Sequence, residues 1–140
     1  MPKNEKTYPC ANCGRDDGTH VDCPQPSIEL GKPVKRVFIC SPYRASTPKR
    51  VEHNVAVARN LCRLAAHAGC IPFAPHLLYP QFLDDADERD RAIGIMCGIS
   101  FLKECDEMWS FGEPTAGMKV EMAKARELGI PVIELTNYLV

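Results

Sequence analysis

What constrains this chain most is an alternation of two hydrophobic rhythms that begins at Val34. Short β-branched and aromatic runs, VKRVFIC, CIPFAP, DEMWSF and IPVIEL, alternate with three longer stretches whose apolar residues recur at helical spacing. The short runs read as strands buried on both faces, and the longer stretches as helices with one apolar side. A strand–helix series of this kind closes through right-handed crossovers into a parallel sheet covered by helices on both faces. The expected fold class is therefore α/β: a flavodoxin- or Rossmann-like three-layer sandwich with a short parallel sheet of four or five strands.

Local signals set the boundaries. Thr47-Pro48 is a helix start, with Thr at the N-cap and Pro at the first helical position. Val51, Val55, Ala58, Leu61, Cys62, Ala65 and Ala68 keep helical spacing, and Gly69 ends that helix. Pro72 interrupts the second strand and marks it as an edge or irregular strand. RDRAIGIMCGISFLKEC reads as the second helix, and Thr115 to Leu128, closed by Gly129, as the third.

In open parallel sheets ligands bind beyond the carboxyl ends of the strands. That selects three loops: 41–47, 75–85 and 112–118. The first, SPYRAS, offers the Ser41 hydroxyl, Pro42, the Tyr43 phenol and ring, and the Arg44 fork, which binds anions through two parallel hydrogen bonds. The second, PHLLYPQFLDD, offers His76, Asp85 as a partner for a base or sugar hydroxyl, and Tyr79 and Phe82 as walls for a planar ring. The third carries Thr115 as an N-cap, and then the amides of Ala116, Gly117 and Met118 at a helix start that favours anions. In that third helix, Glu121 stands among Met118, Met122 and Ala125, where partial desolvation would suit a nucleophile or a base. Asp106 is a charged residue at the start of a buried strand, an unusual place for one.

Each of these groups also has an ordinary reading. Arg44 can be an exposed loop cation, and Asp85 a helix cap. Asp106 can cap a strand edge, and Glu121 can be a surface carboxylate near Lys119, Lys124 and Arg126.

The totals narrow the partners. The chain has 140 residues and a formal net charge of −1, with the two signs mixed, which argues against a nucleic-acid surface. It has no apolar run of the roughly 20 residues that would span a bilayer, and its first ten residues lack the apolar core of a signal peptide. A cytoplasmic protein with no membrane partner is expected. Of its eight cysteines, Cys40, Cys62, Cys70, Cys97 and Cys105 lie singly in apolar or helical stretches, where Cys acts as a small buried hydrophobe.

The other three cysteines cluster. CANCGRDDGTHVDC spaces Cys10, Cys13, His20 and Cys23 as Cys-x2-Cys-x6-His-x2-Cys, the ligand set of a closed tetrahedral structural zinc site. The chain is thus read as a zinc-knuckle-like extension over 1–33 and an α/β domain over 34–140. No cofactor is expected for catalysis.

Taken together, VFICSPYRA, the central strand CDEMWSFG, and TAGMKVEMAKARELGIPVIEL resemble the nucleoside 2-deoxyribosyltransferase-like superfamily, which includes deoxynucleoside-monophosphate N-glycosidases. The likeness covers about 34–135 and is nearest to small bacterial and phage members. It implies that Glu121 attacks the anomeric carbon and displaces the base, with Tyr43 orienting the glutamate or the sugar and Asp106 as a further catalytic residue. It also implies that Ser41 and Arg44 meet a 5′-phosphate, and that Gly117 and Met118 meet the sugar or phosphate. The expected ligand is a small nucleoside or nucleotide, and the expected assembly is a homo-oligomer, a dimer or larger. Transferases of this kind carry Asp-x-Gly-Thr before the glutamate; here the stretch is GEPTAGM, with Glu113 the nearest acid. Two other functions stay open: a nucleotide-binding module without turnover, and an NAD-type glycohydrolase.

Overall fold

The computed structural model describes residues 34–135. The expected zinc ligands Cys10, Cys13, His20 and Cys23 lie outside the described residues.

The first strand, β1 (Arg36–Cys40), holds the centre. Val37, Phe38, Ile39 and Cys40 are wholly buried, as four consecutive apolar residues must be in a strand covered on both faces. Around it stand β2 (Ile71–Phe73), β3 (Glu107–Phe111) and β4 (Val132–Leu135) in the order β2-β1-β3-β4, all parallel. This gives the expected α/β class, with four strands among the described residues. Strand β2 is short and lies at an edge, where Pro72 removes no needed ladder donor.

Three helices make the crossovers. The first, α1 (Pro48–His67), begins as expected: Thr47 Oγ1 accepts the Arg50 amide at 3.2 Å. The second, α2, runs Glu88–Leu102, and Asp87 Oδ1 caps it by accepting the Asp90 amide at 2.9 Å. It ends earlier than the sequence suggests, because the amides of Glu104 and Cys105 turn back onto Phe101 and Leu102 to feed β3. The third, α3, spans Ala116–Glu127. No helix among the described residues is long and apolar enough to cross a membrane.

Strand alternation sorts the core into two layers. Val37 and Ile39 join Leu61 and Ala65 of α1. Phe38 and Cys40 face the other way, with Leu102 of α2 and Met118, Met122 and Ala125 of α3. Full burial of each large apolar side chain stabilises such a layer by about 1.5–3 kcal/mol. The chain winds from β1 outward to β2, then back across to β3. The order therefore reverses between β1 and β3, and the crevice at their carboxyl ends is where this topology places ligands.

Candidate active site

A cavity of about 620 Å³ opens at that crevice, on the α2 and α3 side of the sheet. Its walls come from four segments. The loop after β1 gives Tyr43, Arg44, Ala45 and Ser46. The segment after β2 gives Pro75, His76, Tyr79, Leu83 and Asp85. Helix α2 gives Asp90, Arg91, Gly94, Ile95 and Gly98, and the start of α3 gives Thr115 to Met118, Val120 and Glu121.

The segment after β2 is more ordered than a loop. It forms two 3-10 turns, Pro75–Leu77 and Tyr79–Gln81, each with a proline at its start. The first of these turns presents His76. Its ring stacks on Tyr43 with centroids 5.0 Å apart and planes 13° from parallel. Gly98 of α2 lets Pro75 pack close, since a Cβ there would meet the proline ring at 3.5 Å. Tyr79 lines the cavity, whereas Phe82 meets it edge-on from outside at 5.9 Å and is exposed.

Charge is arranged unevenly around this stack. Arg44 Nε lies 3.5 Å from Asp85 Oδ2, so the two loops are joined by an ion pair across the cavity wall. Burial pushes His76 down to about 4, against an upward pull from the Asp85 carboxylate. The imidazole is therefore neutral at pH 7, able to donate from one nitrogen and accept at the other. Burial and then the same carboxylate raise the Tyr43 phenol, which keeps its proton and remains a donor.

Glu121 sits one turn inside α3. The helix start is built by Thr115, whose Oγ1 accepts the Met118 amide at 3.3 Å, while Met118 Sδ accepts the Thr115 amide at 3.5 Å. Sequence reasoning left the Met118 amide free; here Thr115 takes it, and the amides of Ala116 and Gly117 remain as the open donors. A Cβ on Gly117 would meet nothing within 4 Å, so the space above this turn is open. Glu121 itself is half-buried, and its Oε2 is buried with no hydrogen-bond partner. Desolvation raises its pKa from 4.5 to about 7, opposed by a hydrogen bond with the Cys40 thiol. That thiol is itself buried and also lies 3.9 Å from the Met118 carbonyl oxygen. A carboxylate that gives up solvation and holds one oxygen unengaged is suited to react.

The site thus brings together Glu121, Tyr43, Arg44, His76, Asp85, Thr115, Ala116, Gly117 and Met118. Three expected residues stand elsewhere. Asp106 lies just before β3, at the amino edge of the sheet, opposite the cavity, where its Oδ2 accepts the Arg36 amide at 2.7 Å. It is a strand-edge cap rather than a catalytic group. Ser41, just beyond β1, is buried and does not line the cavity; its Oγ has no partner. Pro42 packs toward Gly112, whose positive φ of 73° turns the chain after β3. Asp90 and Arg91 line the cavity and Cys40 meets Glu121, although in sequence Cys40 reads as a buried hydrophobe and Arg91 as a surface cation pairing with nearby acids. For Cys40 the signal is available in the sequence, because strand alternation places it on the face opposite Val37 and Ile39.

Comparison with known proteins agrees with this architecture. A family model described as a domain of unknown function (DUF7768) matches residues 35–135. No curated protein matches the chain in sequence. Among solved structures, a 2-deoxyribosyltransferase from the psychrotolerant bacterium Bacillus psychrosaccharolyticus is similar with a TM-score of 0.53 and 18% identity, over 75% of this chain and 76% of that one. A 2-deoxyribosyltransferase from Leishmania mexicana is similar with a TM-score of 0.50 and 19% identity, over 74% of this chain and 65% of that one. At these identities the likeness is one of fold.

Proposed function

The chain belongs to the family described as a domain of unknown function (DUF7768), and from its site we propose that it breaks or transfers the N-glycosidic bond of a (deoxy)nucleoside or nucleoside monophosphate. Glu121 is the nucleophile. The observation that carries this reading is the Glu121 carboxylate itself, desolvated on the cavity wall with Oε2 unpartnered. That the similar solved structures are 2-deoxyribosyltransferases supports the same chemistry.

The reaction follows from the groups available. A carboxylate oxygen of Glu121 forms a bond to the anomeric carbon as the bond from that carbon to the base nitrogen breaks. The bonding pair leaves with the base, which takes a proton from a neighbouring donor or from water. Positive charge building on the sugar is met by the carboxylate, as in retaining glycoside hydrolysis. Water then opens the glycosyl ester to give a hydrolase, or a second base opens it to give a transferase. The neutral His76 and the protonated Tyr43 stand on the same wall as hydrogen-bond donors for base or sugar.

The test is base release, followed by chromatography, from a panel of deoxynucleosides, ribonucleosides, their monophosphates and NAD. Release from a deoxynucleoside or its monophosphate supports the proposal. Release from NAD alone points to an NAD-type glycohydrolase, and tight binding with no release from any member points to a binding module. The pH dependence is also specified. Glu121 must be ionised to attack, so kcat/KM rises with pH on a limb with its midpoint near 7, well above the 4.5 of an ordinary glutamate. Full activity already at pH 5 would contradict a desolvated nucleophile.

A further inference from the structure

We infer that Arg91 receives the phosphate of a nucleoside monophosphate, and so selects nucleotides over free nucleosides at the Glu121 site. This rests on the glycosyl-transfer reading above and adds the substrate's anionic group and the residue that recognises it.

Two guanidinium groups line the cavity, Arg44 and Arg91, and they differ in what already holds them. Arg44, the cation that the sequence suggests for a phosphate, lies 3.5 Å from the Asp85 carboxylate. An incoming anion would have to compete with that carboxylate. Arg91 has no ion pair and no side-chain hydrogen bond among the described residues. The acid beside it, Asp90, is engaged elsewhere: its Oδ2 accepts the Asp84 amide at 2.9 Å, which fixes the chain entering α2.

The position suits the role. Arg91 is half-buried, one turn before Gly94 and Ile95 on the helix face that walls the cavity. A Cβ on Gly117, across the same cavity, would meet nothing within 4 Å, which leaves open space there for a charged group. The start of α3 lines the same cavity, and the free Ala116 and Gly117 amides and the positive end of its dipole add to the potential there. A planar guanidinium binds phosphate through two parallel hydrogen bonds, and a half-desolvated one binds it more strongly than an exposed one.

The experiment measures binding by calorimetry to the Glu121→Gln protein, which does not consume its ligand. The probes are the deoxynucleoside 5′-monophosphates and the matching deoxynucleosides. The monophosphates are expected to bind roughly 10- to 100-fold more tightly, the range of a charge-assisted contact. Adding Arg91→Ala should abolish that preference while nucleoside affinity stays within a few-fold, and Arg91→Lys should keep part of it. Arg44→Ala should leave the preference in place. The inference is overturned if nucleosides and monophosphates bind alike, if no monophosphate binds at millimolar concentration, or if the preference survives Arg91→Ala and disappears with Arg44→Ala. An Arg91-dependent preference in a protein whose wild type releases no base would uphold this assignment while removing the glycosyl-transfer reading. Turnover with no phosphate preference would do the reverse.

Discussion

Replacing Glu121 with Gln is expected to lower kcat for base release by about a thousandfold or more, while nucleotide affinity changes only a few-fold. The amide keeps the size and most of the contacts of the carboxylate, but it cannot attack the anomeric carbon or balance the charge of an oxocarbenium-like centre. An interaction made only in the transition state lowers kcat and kcat/KM together. A purely positional role would instead raise KM with kcat retained. Steady-state kinetics on a substrate found in the base-release panel, alongside calorimetric binding, separate the two. A Glu121→Gln protein with wild-type kcat removes the nucleophile assignment.

The same substitution is expected to stabilise the protein at alkaline pH. Glu121 has its folded pKa raised to about 7 from 4.5. Below about 4.5 the carboxyl is protonated in both states and contributes nothing to the difference. Between 4.5 and 7 the unfolded chain releases the proton and the folded chain retains it. The folded state then binds more protons, so stability falls as pH rises through this window, and the loss is complete above about 7. At about 1.4 kcal/mol per pKa unit, the burden at pH 8 is on the order of 3 kcal/mol at most. The uncharged Gln avoids it, although its own amide must be accommodated beside Cys40. A net gain of about 1 kcal/mol or more, or a rise in Tm of roughly 3–5 °C, is expected at pH 8. It should fade as pH approaches 4.5. Thermal melts across pH 4.5–8 check this. A Gln variant that melts lower than wild type at pH 8 means that the native carboxylate is charged and well solvated. A reactive group held at a cost to stability is a common signature of functional sites.

Much of the frame was legible in the sequence because local rules agreed with one another. The four apolar runs became four parallel strands, Thr47-Pro48 and Thr115 became N-caps, and Pro72 fell on an edge strand. The rule that ligands gather beyond the carboxyl ends of strands then picked out the loops that line the cavity. It was less well applied to single residues. Asp106 was unusual in composition, yet it precedes its strand and so belongs to the opposite edge. Ser41 offers a hydroxyl, but burial just beyond β1 keeps it out of the cavity lining. Strand alternation points to Cys40, a residue whose chemistry looked merely apolar.

Arg91 was not legible for a different reason. On a helix wheel it is one charged residue among several near the start of α2. Only the packing of α2 beside α3 turns its face into a cavity wall, and only the Arg44–Asp85 pair shows which guanidinium remains unengaged. Tertiary register of that kind is not written in local spacing. The state of Glu121 belongs to the same class: the residue is visible as a candidate, but its desolvation comes from its burial in the folded chain, against the opposing hydrogen bond of the Cys40 thiol.

A covalent bond between Glu121 and the sugar is the step that distinguishes this mechanism. The most direct measurement is mass spectrometry of the wild-type protein, quenched in acid during turnover of a deoxynucleoside monophosphate and digested to peptides. The peptide containing Glu121 is expected to carry the mass of the sugar phosphate, and the Glu121→Gln peptide to carry none. Rapid base release with no adduct on that peptide, or an adduct on another carboxylate, would contradict it.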